Sequence, residues 1–238
     1  MSTLGIIGSG NIGAAIARLA VSAGIPVVLS NSRGPQTLTG LVSELGPLAS
    51  AGSIQQAAEA GEVVVLSVPL AAHTAIPAAL LKGKAVLDTT NYYPFRDGRV
   101  AELDEERLTT SELVLQHFQG ASLTKAFSNI LAHHIPQLSR PAGALDRTAL
   151  PVAGDDVGAK ATVMNLVEQL GFDAVDAGTL ADTWRFEPET TAYTRLYVAD
   201  PLTPDARLLH APAAPVPSRR LSEALKRAVP VRVAARSF

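Results

Sequence analysis

The sequence predicts an α/β protein built on a doubly wound, mostly parallel sheet. Short apolar runs that read as strands alternate with segments of helical periodicity through the first ninety residues. A glycine-rich turn follows the first of these runs, and the run at 63–68 is apolar along almost its whole length. Such continuous apolarity is typical of a parallel strand that is covered on both faces. We therefore expect helices on both sides of the sheet, with a smaller α/β part toward the C-terminus.

The strands and helices of the first ninety residues follow one another in a regular order. Strands are expected at 4–8, 26–30, 63–68 and 85–90, and helices at 11–23, 35–45, 53–61 and 70–82. The first helix places Ile12 and Ile16 on one face, and Pro77 interrupts the last. Ser53 and Gln56 have the spacing of a capping box, which marks a helix start.

The second half of the chain continues to alternate. Strands are expected at 123–128, 149–154 and 172–178, and helices at 110–120, at 156–170 and within 179–197. Asp155 is the expected N-cap of the 156–170 helix. We divide the chain into a first α/β part over residues 1–120, a second over 121–199 and a tail over 200–238.

The composition changes in the 200–238 tail, which is rich in proline, alanine and arginine. It carries seven basic and three acidic residues, and residues 218–229 have the pattern of a short amphipathic helix. We expect a mobile or loosely packed tail. A subunit-packing arm is the alternative, and a nucleic-acid-binding tail is not expected.

The overall composition excludes several classes of protein. The formal net charge of −2 gives no bias toward nucleic acid or anionic membranes. The absence of cysteine excludes disulfides and thiolate metal sites, and it fits the cytoplasm, where we expect the protein. The nearly uncharged segment 4–29 contains Gly8, Gly10 and Pro26, which argue against a signal peptide or membrane helix. No metal site is expected, because the adjacent His133 and His134 have no partner at i+4.

The turn GSGNIG is the strongest functional motif. It fits G-x-G-x-x-G, follows a predicted strand and opens a predicted helix, which is the context of a Rossmann-type dinucleotide site. Its backbone amides and the positive end of the helix are suited to a pyrophosphate. The cofactor-binding residues expected here are Gly8, Ser9, Gly10, Asn11, Ile12 and Gly13.

The end of the second strand indicates which nicotinamide cofactor is bound. An NAD site usually has an Asp or Glu here for the ribose 2′-hydroxyl, and this chain has none. Ser30, Asn31 and Ser32 offer uncharged contacts, and Arg33 offers a guanidinium suited to a 2′-phosphate. The sequence therefore predicts NADP(H) over NAD(H), with a surface arginine as the alternative interpretation of Arg33.

The remaining cofactor contacts are expected at the carboxyl ends of two further strands, since ligands of doubly wound sheets bind there. One set is Ser67, Val68, Pro69 and Leu70, and the other includes Thr90 and Asn91. Both sets are also compatible with ordinary strand-to-loop connections.

These motifs together resemble a known family, the NADPH-dependent reductases of the deazaflavin coenzyme F420. The resemblance covers roughly residues 3–197 and rests on GSGNIGAAIA, SNSRGP, VVLSVPL, VLDTTNYYPFRDG, LTKAFSNI and LPVAGDDVGAKATVMNLVEQLGFDAVDAG. It implies hydride transfer between NADPH and a flavin-like acceptor, with NADP bound by residues 1–120, the acceptor and a dimer contact by 121–199, and a homodimeric assembly.

The resemblance also suggests acceptor-side residues. The family segment that lies against the acceptor ring matches AFSNILA, which makes Phe127, Ser128, Asn129 and Leu131 the candidates. Trp184 is a further candidate, in a segment that is more aromatic than the family pattern. No acid–base pair stands out, so we expect transfer by positioning of the two rings, with no catalytic side chain.

Several alternatives remain open. The same fold serves metalloreductases that pass electrons through flavin, so FMN or FAD is an alternative acceptor to F420. The chain could also bind NADP(H) without turnover, as a redox sensor. A β-hydroxyacid dehydrogenase or imine reductase is disfavoured, because those proteins continue into a long helical domain whereas this chain continues into strands. A serine hydrolase is also disfavoured, because the segment IGSGN lacks the first glycine of the G-x-S-x-G motif.

Overall fold

An eight-stranded sheet forms the centre of the molecule in a computed structural model that describes residues 3–236. The strands are β1 (Leu4–Ile7), β2 (Val27–Ser30), β3 (Ala49–Ala51), β4 (Val63–Leu66), β5 (Ala85–Asp88), β6 (Ser122–Lys125), β7 (Ala149–Gly154) and β8 (Asp173–Asp176). Their order across the sheet is β3-β2-β1-β4-β5-β6-β7-β8. All neighbours pair parallel except β6 and β7. The predicted doubly wound, mostly parallel α/β fold is therefore confirmed.

The helices flank this sheet. The α-helices of residues 3–236 are α1 (Asn11–Ser22), α2 (Thr39–Leu45), α3 (Ile54–Ala60), α4 (Pro94–Asp97), α5 (Ala101–Asp104), α6 (Thr110–His117), α7 (His134–Leu138), α8 (Val157–Gln169), α9 (Asp205–Leu208) and α10 (Ser218–Arg227). Short 3₁₀ helices occupy Pro35–Leu38, Leu70–Ala75, Ala78–Leu81, Leu180–Phe186, Thr194–Tyr197 and Val233–Ala235. None of the helices in this part of the chain is both long and apolar enough to span a membrane.

The central strands are buried on both faces, as their apolar runs predicted. In β4, Val63 and Val65 belong to one hydrophobic cluster and Val64 and Leu66 to the other, on opposite sides of the sheet. All four residues are buried, because alternate side chains of a strand point to opposite faces and both faces here are covered.

Three local predictions were wrong or incomplete. Strand β3 was missed, since its three small residues at the sheet edge carry little apolar signal. The expected helices at 70–82 and within 179–197 are 3₁₀ turns. The cap of α8 is Asp156, whose carboxylate accepts from the amide of Ala159 at 2.8 Å. Asp155 instead accepts from the amide of Leu180 at 2.9 Å and ties two segments together.

The C-terminal segment packs against the sheet, so the expectation of a loosely packed tail is wrong. Val216 and Leu221 are fully buried, and Leu225, four residues after Leu221 on the same face of α10, is nearly so. The amide of Ala149 in β7 donates to the carbonyl of Val216 at 2.7 Å. The amphipathic pattern predicted for 218–229 is thus satisfied by burial against β7 and β8.

Candidate functional site

The glycine turn lies between β1 and α1 and requires two of its three glycines for steric reasons. Gly8 has φ +102°, and a Cβ placed there would lie 2.0 Å from the carbonyl oxygen of Ser67. A Cβ at Gly13 would lie 1.9 Å from the carbonyl oxygen of Gly8. Around Gly10 no atom lies within 4 Å of the ideal Cβ position, which leaves open space above the turn. The turn thus combines tight packing beneath it with free access from the cleft.

The N-terminus of α1 faces this open space. Gly10 is the N-cap residue, no side chain caps the helix, and its first turn has no acidic residue. The first amides of a helix have no intrahelical acceptor, so here they are available to a ligand. Together with the helix dipole they favour an anionic group such as a pyrophosphate.

The loop after β2 is organised by Asn31. Its Oδ1 accepts from the amide of Arg33 at 2.9 Å, and its Nδ2 donates to Thr37 Oγ1 at 2.9 Å and to Ser9 Oγ at 3.4 Å. Thr37 was not among the predicted site residues. Asn31 therefore connects the glycine turn to the segment that carries Arg33.

Arg33 and Ser32 are exposed on this loop, whereas Ser30 is not. Within residues 3–236 the guanidinium of Arg33 forms no ion pair, which leaves it available for an anion. The buried Ser30 donates its hydroxyl to the carbonyl of Ile6 at 3.0 Å. Its side chain therefore links β1 and β2 at the end of the strand, and its contact with a cofactor stays a prediction.

One cleft of about 520 Å³ runs from this turn along the carboxyl ends of the strands. Most of the predicted residues lie together in its wall. From the predicted set, it is lined by Gly10, Asn11, Ile12, Ser67, Val68, Pro69, Thr90, Asn91, Phe127, Ser128 and Leu131. Thr89, which the sequence groups with Thr90 and Asn91 at the end of the same strand, also lines the cleft. Residues that were not predicted as contacts complete the wall, namely Tyr93, Arg96, Ile130, Ala132, Tyr193, Thr194 and Leu209.

Four predicted contacts have side chains that are buried or that line another cavity. Leu70 is buried in the core, and Trp184 lines a separate cavity. Asn129 is buried and donates to the carbonyl of Ala192 at 2.8 Å and to the hydroxyl of Tyr197 at 2.9 Å. The Phe127 ring is also buried, 5.5 Å from that of Phe172, although the residue forms part of the cleft wall, so its contact with an acceptor stays a prediction. The segment AFSNILA thus borders the cleft, whereas the side chains of Phe127 and Asn129 within it are buried.

Beneath the cleft, a buried polar group holds the loop after β5. Lys125 Nζ donates to the carbonyl of Thr90 at 2.6 Å and to Ser111 Oγ at 3.1 Å, and lies 3.8 Å from Asp88 Oδ2. Asp88 accepts from the amide of Thr90 at 2.9 Å and from Ser111 Oγ at 2.6 Å. The side chains of Lys125 and Asp88 are fully buried. These contacts fix the backbone of Thr90 at the cleft floor.

A second buried ion pair lies close to the first. Glu187 accepts from Arg236 at 2.9 Å and from the amide of Thr110 at 2.9 Å. Burial raises the pKa of the Glu187 carboxyl, but the charges of Lys125 and Arg236 and these hydrogen bonds outweigh burial and lower its pKa overall. Glu187 therefore remains ionised and anchors Arg236.

Three side-chain atoms at the cleft are buried without a hydrogen-bond partner: Thr90 Oγ1, Asn91 Oδ1 and Ser128 Oγ. Asn91 Nδ2, by contrast, donates to the carbonyl of Ser128 at 2.6 Å, which orients the amide. Buried polar atoms are normally paired, so unpaired ones in a cleft indicate groups that a ligand completes. A carboxamide, which has both a donor and an acceptor, has the chemistry to pair with them.

Comparison with known proteins supports the family resemblance. A family described as NADP oxidoreductase coenzyme F420-dependent matches residues 3–92. The Metalloreductase STEAP3 of Rattus norvegicus is 28% identical over 187 residues, which are 77% of this chain and 35% of that protein. The match therefore spans about a third of that relative's own length.

Solved structures extend the similarity over most of the fold. The hypothetical protein SMa0349 from Sinorhizobium meliloti is 32% identical with a TM-score of 0.68, and the match covers 77% of this chain and 88% of that one. A candidate F420-dependent NADP reductase from Arthrobacter sp. FB24 is 23% identical with a TM-score of 0.64, covering 77% and 87%, which shows a shared fold. With the glycine turn and the cleft described above, these matches establish that the chain belongs to the family of NADP oxidoreductases described as coenzyme F420-dependent.

Proposed function

We propose that this chain transfers a hydride between NADP(H) and a planar acceptor of deazaflavin or flavin type, with coenzyme F420 as the first candidate. The observation that carries the proposal is the single cleft that joins the N-terminus of α1 to a wall of aromatic and aliphatic side chains. A shared cleft lets two ring systems lie against each other, which hydride transfer requires.

The residues at the nucleotide end fit NADP(H). Gly8 and Gly13 form a cradle that a Cβ would fill, and the uncapped start of α1 is suited to the pyrophosphate. Arg33 and Ser32 are exposed on the loop after β2, where we expect the 2′-phosphate, and Asn31 holds this loop. The unpaired atoms of Thr90 and Asn91 are suited to the nicotinamide carboxamide. When bound, NADPH supplies the hydride, so the protein has only to place and orient the two rings.

Turnover with a panel of acceptors tests this proposal. We expect rapid oxidation of NADPH with F420 or with FMN or FAD, and much slower oxidation of NADH. Equal rates with NADH and NADPH would overturn the cofactor assignment. Tight binding of NADPH without turnover of any acceptor would favour a non-catalytic NADP(H) sensor.

A second candidate is an NADPH-dependent reductase of metal ions through a flavin. It is favoured by the 28% identity to a metalloreductase over 77% of this chain. Addition of a ferric chelate to the FMN or FAD assay distinguishes the two candidates. Metal reduction that requires flavin supports the second candidate, whereas F420 turnover without any metal supports the first.

We also propose a homodimer, as the family resemblance implies. Light scattering coupled to size-exclusion chromatography should give about twice the mass of 24.8 kDa. A monomeric mass at the concentration of the activity assay would overturn this.

A further inference from the structure

The far half of the cleft contains a contact between two tyrosine hydroxyls. Tyr93 follows β5, and Tyr193 lies 100 residues later in the chain, yet their hydroxyl oxygens are in direct hydrogen-bond contact. Both residues line the main cleft and also an adjoining cavity of about 300 Å³. Chain folding has therefore placed a polar pair in a region whose border also contains Arg96 and Thr194 and is otherwise apolar, with Phe95, Leu131, Leu208 and Leu209.

The number of hydroxyl protons determines which hydrogen bonds this pair can donate. Each tyrosine hydroxyl carries one proton, and only one proton can lie between the two oxygens. The second proton must point elsewhere. Asn91 Oδ1 has no hydrogen-bond partner. The side chains of Asn91 and Thr194 do contact the pair, but each lowers the pKa of the tyrosine that it contacts, which is the effect of a donor to the hydroxyl oxygen and not of an acceptor. Neither side chain therefore takes the second proton. A hydrogen-bond donor thus remains on the cleft wall for a ligand.

Both hydroxyls remain protonated at neutral pH. Burial raises the pKa of Tyr193 well above its ordinary value, and the adjacent Tyr93 raises it further. Burial also raises the pKa of Tyr93, and the bond from Tyr193 and the charge of Arg96 only partly offset this. Because both pKa values are raised above that of an ordinary tyrosine hydroxyl, the pair acts as a neutral donor at neutral pH.

The cation beside this pair is already engaged. Arg96 lies with its guanidinium carbon 4.6 Å from the centre of the Tyr93 ring and pairs with Asp97 at 2.8 Å. It also donates to the carbonyl of Asn91 at 2.9 Å. Arg96 is the only basic residue lining the cleft among the residues that the structure describes. Its charge is largely balanced by Asp97, so negative charge that develops on an acceptor has the tyrosine donor to stabilise it.

We propose that the Tyr93–Tyr193 hydroxyl pair donates a hydrogen bond to the reducible acceptor and stabilises the negative charge that the acceptor gains during hydride transfer. This inference rests on the proposed function. A hydrogen nucleus leaves the nicotinamide ring with two electrons and forms a new bond to an electrophilic carbon or nitrogen of the acceptor. NADPH becomes NADP⁺, the acceptor becomes an anion, and a proton from solvent later neutralises that anion. Both tyrosine protons stay on the tyrosines.

The acceptor class follows from this geometry. A donor directed at the acceptor selects a conjugated ring with a carbonyl or ring nitrogen that becomes more basic on reduction. The aliphatic and aromatic border around it favours a flat, uncharged ring. Any charged group on the acceptor has to lie outside this half of the cleft, because Arg96 is already paired.

Tyr93→Phe and Tyr193→Phe test the pair, with Tyr92→Phe as the matched control. Tyr92 is the neighbouring buried tyrosine, and its hydroxyl bonds to Asp104 at 2.8 Å and not to the cleft. Each test variant should lower kcat about 10- to 100-fold, as expected for a lost hydrogen bond to a developing charge. The Kd of NADPH should change by less than about twofold, and 4-deuterated NADPH should show a larger isotope effect because transfer becomes more rate-limiting. The control should keep the wild-type kcat.

The outcomes separate this inference from the function on which it rests. Active wild-type protein with test variants as fast as Tyr92→Phe would overturn the role of the pair and leave the reductase intact. A loss that appears equally in the Kd of NADPH would show a structural role and would also overturn it. If the wild-type protein failed to oxidise NADPH with every acceptor tested, that result would overturn the proposed function and, with it, the role of the tyrosine pair.

Discussion

The two ends of the cleft are built in opposite ways. The nucleotide end comes from the turn at 8–13 and the loop at 30–37, both within one strand–helix–strand unit. The other end, where we propose that the acceptor binds and which we call the acceptor end, is formed by segments distant in the chain: Tyr93 with Arg96, Leu131, Tyr193 and Leu209. A short sequence motif determines the geometry of a local unit. The geometry of a surface assembled from distant segments depends instead on the packing of the whole fold.

The largest expected effect is at the nucleotide end, where space is most restricted. Gly13→Ala would place a Cβ 1.9 Å from a backbone oxygen that cannot move without disturbing β1. We expect loss of NADPH binding and of much of the folded protein, measured by calorimetric titration and thermal unfolding. Gly40→Ala is the control, since Gly40 lies in α2 outside the cleft and no neighbouring atom lies within 4 Å of its Cβ position. Wild-type binding by Gly13→Ala would contradict the tight turn.

The next largest effect lies beneath both ends, where the buried Lys125 and Asp88 meet. Lys125→Met should lower the free energy of unfolding by about 3–5 kcal/mol, because it leaves the carboxylate of Asp88 buried without its counter-charge. Urea denaturation measures the free energy of unfolding of the variant and of the wild type. Lys160→Met is the control, since Lys160 pairs at 2.9 Å with Asp176, whose side chain is 54% exposed, and should cost less than about 1 kcal/mol. Equal losses in the free energy of unfolding for the two variants would show that the buried Lys125–Asp88 pair stabilises the fold no more than the exposed pair does.

Arg33 tests the nucleotide end separately from the acceptor end, because we expect its guanidinium to contact only the nucleotide. Arg33→Ala should weaken NADPH binding about 10- to 100-fold, as expected for the loss of charge-assisted bonds to a phosphate. Binding of NADH, which lacks the 2′-phosphate, should be nearly unchanged. Equal weakening of both nucleotides in a fluorescence titration would remove the phosphate role from Arg33.

The smallest effect is expected at the mouth of the acceptor end. Leu209 is 62% exposed and lines the cleft, so Leu209→Ala should raise the KM of the acceptor about threefold to tenfold through lost apolar contact. The KM of NADPH should not change. Leu202→Ala is the control, because Leu202 is 88% exposed and lies outside the cleft. A rise in the KM of NADPH would mean that the two ends are not separate.

Much of the fold was predictable from sequence for a physical reason. The apolar run at 63–66 forms a buried parallel strand because both faces of the sheet are covered there. The capping box of Ser53 and Gln56 forms as predicted because both partners lie within one helical turn. The prediction failed where the deciding partner was distant. Asp155 bonds to Leu180 and leaves the cap to Asp156, and the 200–238 tail finds an apolar surface on β7 and β8.

The sequence by itself determined the nucleotide end, because a glycine turn, a helix start and a strand-end arginine have their geometry set by bonds and sterics within a few residues. Only the tertiary structure decided the acceptor end. It turned the Phe127 ring and the Asn129 amide into the core, and it brought Tyr93 against Tyr193. Whether the side chain of a loop residue faces the cleft or the core depends on segments far away in the chain. Its orientation is therefore fixed only when those segments have packed.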